Sequence, residues 1–130
     1  MSTDEKTFTP LVLQQIQPLL QNHVLILKFG APWCKPCKMI APTVDAWFRN
    51  LPPDCNIMFR EIDIDEELEL YMALKKHKMV NGVPTMLSFH GTTRPAWFIP
   101  NDSVVGGDLN AVNLFLQRCL LVAKQIKKPN

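Results

Sequence analysis

Ala31-Pro32-Trp33-Cys34-Lys35-Pro36-Cys37-Lys38-Met39-Ile40-Ala41-Pro42 is the stretch on which the reading of this chain turns. Its two thiols follow the apolar run Val24-Leu25-Ile26-Leu27-Lys28-Phe29 and stand at the head of a helical pattern. On a helix, residues i and i+3 share one face, with Cβ atoms about 5–6 Å apart. That separation is close to what a disulfide requires. Such a pair holds either a bond or two thiols with little backbone movement, and this is what a redox switch needs.

Working outward, residues 24–29 are apolar without clean alternation, which predicts a strand buried in the centre of a sheet. Gly30-Ala31-Pro32 ends it. Met39, Ile40, Val44, Trp47, Phe48 and Leu51 recur at helical spacing and predict a helix over 34–50, with Pro42 as a kink. Pro52-Pro53-Asp54 is a turn, residues 57–62 a second central strand, residues 65–77 a helix, and Asn81-Gly82 another turn. Residues 85–89 and 96–99 predict two strands joined around Gly91. Asp108 is placed to cap a last helix carrying Val112, Phe115, Leu116 and Cys119. At the other end, Thr9-Pro10 makes an N-cap and first-turn pair opening a short helix that Pro18 kinks or ends. Strands alternating with helices predict a parallel portion, and the closing strand pair an antiparallel edge. The expected fold class is α/β, a mixed central sheet with helices on both faces, as one domain over residues 1–130.

Composition narrows the function. With 130 residues, 47% hydrophobic and 20% charged, the chain has enough material for a core without disulfide staples. A net charge of +2 and the lack of a basic block interleaved with aromatics argue against nucleic acid. Lys124, Lys127 and Lys128 read as a solvated helix end that suits the helix dipole. No apolar run approaches the ~20 residues that cross a bilayer. Met1-Ser2-Thr3-Asp4-Glu5-Lys6 is polar and acidic, unlike a signal or transit peptide. Four cysteines in such a chain point to a reducing compartment, with the cytoplasm expected and a processed organellar form left open. A monomer without membrane contact is expected.

In disulfide exchange the thiolate is the nucleophile, so one cysteine must ionise readily. Cys34 is the better candidate, because unpaired N–H groups and the dipole at a helix N-terminus favour negative charge. Lys35 and Lys38 add positive charge beside it. Cys37, one turn further in, is expected to react second. Cys34 then attacks a substrate disulfide, a mixed disulfide forms, and Cys37 resolves it. A structural role is the competing reading. Two cysteines alone do not close a tetrahedral zinc site, and Cys55, Cys119, His23, His77 and His90 lie scattered without ligand spacing. Cys55 reads as an incidental loop thiol or a regulatory one, and Cys119 as a small core residue.

The segment over residues 31–42 resembles the active-site segment of the thioredoxin family. Gly82-Val83-Pro84-Thr85 resembles that family's second signature, in which the proline is cis, and Asp63-Ile64-Asp65 fits the end of its third strand. A lowered thiol pKa in such a pair is a known property of thioredoxin, not something this sequence establishes. The resemblance implies the thioredoxin fold, with Cys34 as attacking and Cys37 as resolving thiol. It also implies a substrate surface of Trp33 beside the sulfur, Pro36 restraining the loop, and Pro84 facing the disulfide from the opposite loop. Val83 would offer main-chain hydrogen bonds to an extended substrate, a mode that tolerates many sequences.

Two departures from the family pattern stand out. Lys35 replaces the usual glycine, making the motif more cationic. Lys28 stands where the family places a buried aspartate that assists proton transfer to the resolving thiol, and Glu61 occupies the matching site on the neighbouring strand. Lys28 and Glu61 are expected to form a cross-strand pair behind Cys37, with Lys28 as a base, since a desolvated ammonium sheds its proton more readily. A lysine that snorkels to the surface is the alternative. The stretch 100–107 reads as a longer link than the family's, its glycines falling near the third groove loop. No nucleotide-binding fingerprint is present, so no cofactor is expected in this chain. Protein disulfides are the implied substrates, and an external reductase or a low-molecular-weight thiol the implied electron donor. A thioredoxin-like interaction module of a larger complex and a disulfide oxidase or isomerase are the alternatives.

Overall fold

The computed structural model describes residues 7–126. Lys127 and Lys128 of the expected solvated tail, and the polar start over residues 1–6, lie outside the described residues. The chain runs through α1 (Pro10–Gln15), a 3-10 turn (Gln17–Gln21), β1 (Val24–Gly30), α2 (Lys35–Arg49) and β2 (Ile57–Asp63). It continues through α3 (Leu68–Lys76), β3 (Thr85–His90), β4 (Asp102–Val105) and α4 (Leu109–Ile126).

The sheet has the order β2-β1-β3-β4. β1 pairs parallel with β2 and antiparallel with β3, and β3 pairs antiparallel with β4. Side chains of a strand alternate between its two faces, and β1 shows what that does here. Leu25, Leu27 and Phe29 enter one core with Leu13, Leu20, Leu70 and Leu74. Val24 and Ile26 enter the other with Ile40 and Val44 of α2 and Phe115 and Leu116 of α4. All seven residues of β1 are buried. Each buried Leu, Ile or Phe contributes roughly 1.5–3 kcal/mol, so β1 is the strand that fixes the sheet. By the same alternation, Lys28 and Gly30 belong to the face under α2.

The short elements follow from their caps. The Thr9 hydroxyl accepts from the Val12 amide at 3.2 Å and Pro10 opens α1, which ends at Gln15 before the 3-10 turn containing Pro18. The helix expected over 65–77 begins later, at Leu68. α2 continues past Pro42 to Arg49.

The expected strand over residues 96–99 is not formed, and the fourth strand lies at Asp102–Val105 instead. Arg94 is the reason. One terminal nitrogen donates to the Ile99 carbonyl at 2.9 Å and to Asn101 Oδ1 at 3.1 Å. The other donates to the carbonyls of His90 at 3.0 Å and Gly91 at 2.8 Å. These bonds gather residues 91–101 into a compact loop. Trp97 and Phe98 then both pack on the α1/α3 core, which consecutive residues of a strand cannot do. The Phe98 ring also stacks on His77, 3.7 Å between centroids. The stretch 100–107 is thus no extended link but contains β4, which Arg118 of α4 grips through Asp102 at 2.7 and 3.2 Å.

Candidate functional site

The CxxC segment sits where β1 ends and α2 begins. Cys34 is the N-cap of α2, in an extended conformation, and its sulfur accepts from the Cys37 amide at 3.2 Å. Proline inside the first turn suits this start, because the first amides of a helix have no partner to lose. Cys34 and Cys37 are joined as a disulfide, with Cα atoms 5.3 Å apart. Both are buried, at 4% and 5% exposure, so the pair meets solvent only at its rim.

Three loops meet at this end of the sheet. Trp33 is 65% exposed, yet its indole is fixed by a hydrogen bond from Nε1 to Asp65 Oδ2 at 2.8 Å. The Asp65 amide in turn donates to Asp63 Oδ1 at 2.9 Å, which sets the turn after β2. The Val83–Pro84 bond is cis, with Val83 half-buried and Pro84 buried. The Thr85 hydroxyl closes that turn on the Gly82 carbonyl at 2.8 Å. The Gly106 amide donates to the Pro84 carbonyl at 2.9 Å. Beside it, a Cβ on Gly107 would lie 3.2 Å from Pro36 Cβ, closer than side chains normally approach. The sequence-level candidates Trp33, Pro36 and Pro84 therefore stand around one spot. Asp65 and Gly107 hold two of them in place. Reasoning from sequence noted Asp65 only as part of a motif, and the Gly106-Gly107 pair was the available signal for the close approach.

Behind the pair, Lys28 faces Glu61 across β1 and β2 in register, Nζ to Oε2 3.0 Å. Lys28 is 3% exposed and Glu61 61%. The lysine therefore does not snorkel out; its carboxylate partner reaches solvent for it. A buried cation needs such a partner, because an unpaired charge inside a protein is strongly penalised. Both residues, with Cys37, Gly30, Arg60 and Asp63, line a cleft of about 490 Å³. Glu67 also lines it, accepting from the Phe8 amide and pairing with Arg60 at 3.7 Å. Burial pushes its carboxyl above the usual carboxylate range.

The remaining cysteines lie elsewhere. Cys55 is half-buried in the turn before β2. Cys119 is packed in the α2/α4 core, where burial pushes its thiol up to about 12. Iodoacetamide at pH 8 is therefore expected to label Cys55 and spare Cys119 in the folded, oxidised protein, and peptide mapping reads this directly. The sign for stability follows. An unfolded thiol ionises near 9.0, so folding keeps this contribution whole below pH 9 and loses it as pH rises towards 12. Among the described residues no cluster of three or more His, Cys, Asp or Glu is arranged to hold a metal. No described helix is long and apolar enough to cross a membrane.

A CxxC pair at a helix N-terminus on this mixed sheet is the fold and site of the thiol–disulfide oxidoreductases. Residues 2–103 match the family described as Thioredoxin, and the chain belongs to that family. Among its relatives, thioredoxin domain-containing protein 8 of Rattus norvegicus is 37% identical over 68 residues, 52% of this chain and 48% of that protein. Thioredoxin-1 of Saccharomyces cerevisiae is 34% identical over 71 residues, 55% of this chain and 62% of that protein. The match thus spans about half to three fifths of these relatives' own lengths. The fold is also that of Fasciola hepatica thioredoxin, with a TM-score of 0.63 at 22% identity over 85% of this chain and 93% of that one.

Proposed function

We propose that this chain is a protein-disulfide reductase of the thioredoxin type, acting as one domain over residues 1–130. The observation that carries the reading is Cys34 at the N-cap of α2, its sulfur receiving the Cys37 amide. After reduction, that amide, the helix dipole and the cations of Lys35 and Lys38 all favour a thiolate on Cys34. The thiolate attacks one sulfur of a substrate disulfide and displaces the other. Cys37 then attacks the mixed disulfide and releases the reduced substrate, leaving the Cys34–Cys37 bond seen here. Two electrons pass to the substrate, and an external reductase or a low-molecular-weight thiol restores them.

Trp33, Pro36, Val83 and Pro84 form the surface that receives the substrate, with Val83 pairing along its main chain. Lys28, held by Glu61, assists proton transfer at Cys37, with which it shares the cleft. The cytoplasm and a monomeric state complete the proposal.

The test is reduction of a protein disulfide by dithiothreitol, comparing the wild type with Cys34→Ser. The wild type is expected to accelerate the reaction and the variant to leave it at the uncatalysed rate. Equal rates would refute the reductase reading and favour an interaction module that uses the groove only to bind.

A further inference from the structure

We propose that Lys35 is a specificity-determining residue, and that it selects protein disulfides whose cysteines are flanked by acidic residues. This rests on the reading of the chain as a protein-disulfide reductase and gives that activity a substrate class. The exchange through Cys34 and Cys37 stays as described.

Lys35 occupies a helix position that disfavours a cation. It is the first residue of α2, directly after the Cys34 N-cap, and no acidic residue lies in that first turn. The positive pole of the helix dipole is there, and it repels an ammonium. Lys35 is exposed, and none of the ion pairs among the described residues involves it. The fold therefore bears a local cost at this position with no contact that offsets it. Departures of this kind are expected at functional sites.

The other charges at this end of the sheet have partners or opposites beside them. Asp65 accepts from the Trp33 indole at 2.8 Å, and Asp63 from the Asp65 amide at 2.9 Å. Asp108 accepts from the Asn110 amide at 3.0 Å at the start of α4. Lys38 shares the wall of the cleft with Glu61, Asp63 and Glu66. Trp33, Pro36, Val83 and Pro84, the proposed substrate surface, carry no charge at all. Lys35 is left as the unmatched charge next to the attacking sulfur.

Consecutive Cα atoms are about 3.8 Å apart. A disulfide that reaches Cys34 Sγ therefore brings its flanking residues within a side chain's length of Lys35. An acidic flank meets an opposite charge there and a basic flank a like one, and selectivity draws on both the attraction and the repulsion. Lys35 also favours the Cys34 thiolate, but the two effects separate. A change in thiolate reactivity multiplies the rate with every substrate alike, whereas selection changes the ratio between substrates.

The probes are three peptides, each closed by one disulfide and identical except for aspartate, serine or lysine beside the cysteines. Each is mixed with the reduced full-length protein, and its second-order rate constant is divided by that for dithiothreitol alone. The aspartate peptide should then outpace the lysine peptide. Lys35→Gln should lower that ratio by about fivefold, the upper end of what one exposed ion pair contributes. Lys35→Glu should lower it further, Lys35→Arg should preserve it, and added salt should shrink it in the wild type. A ratio that neither Lys35→Gln nor Lys35→Glu moves would overturn the proposal. If the serine peptide is still reduced in that case, only the role of Lys35 is refuted; if no peptide is reduced, the reductase reading falls with it.

Discussion

Serine in place of Cys37 is expected to arrest turnover at the mixed disulfide, with substrate accumulating on Cys34 in near-stoichiometric amount. Cys34 keeps its position, because the amide that supports it belongs to the backbone of residue 37 and survives the substitution. What is lost is an intramolecular nucleophile whose Cα lies 5.3 Å from that of Cys34. Well-oriented intramolecular reactions reach effective molarities on the order of 10⁵ M, so release by an external thiol at millimolar concentration should be slower by up to roughly 10⁸-fold. Non-reducing electrophoresis with a labelled protein disulfide shows the adduct, and dithiothreitol removes it. If Cys37→Ser turns over at the wild-type rate, Cys37 is not the resolving thiol.

The second large effect concerns Lys28 and Glu61, and its two halves differ in sign. Lys28→Met replaces a buried ammonium with an apolar chain of similar length. Glu61 is 61% exposed, so the change strands no buried carboxylate. Exchanging a buried ion for a well-packed apolar residue is often neutral or stabilising by about 1–4 kcal/mol. Glu61→Ala instead leaves the 3%-exposed Lys28 without its carboxylate. An unsatisfied buried donor of this kind costs about 1–3 kcal/mol, the range already allowing for a partner screened by solvent. Urea denaturation should therefore place Lys28→Met at or above the wild type and Glu61→Ala below it. Function should run the other way for Lys28→Met. With Cys34 blocked, alkylation of the reduced Cys37 should slow and its pH profile should shift. A more stable variant with unaltered Cys37 reactivity would leave Lys28 a structural residue alone.

Much of the site was readable in one dimension because its chemistry is local. Cys34 and Cys37 belong to one helical turn, so their spacing already specified that they meet, and Thr9-Pro10 capped α1 as its residue types require. The apolar run over 24–29 marked β1 because a strand buried on both faces has no polar alternation to blur it. The stretch 96–99 misled because its aromatic and β-branched residues match strand preferences, while the bonds that override them come from Arg94 and the partners that Trp97 and Phe98 find belong to distant elements. Propensity yields in such a case to contacts that the local pattern does not encode.

By itself, then, the sequence determined which two cysteines pair and that α2 starts at the first of them, since both depend on neighbours within a turn. Only the tertiary structure decided what surrounds them. It kept Lys28 buried while its partner Glu61 reaches solvent, brought Gly107 against Pro36, and set Gly30 beside Cys37 in the wall of a charged cleft. These are contacts between segments far apart in the chain, and their geometry exists only once the sheet has formed.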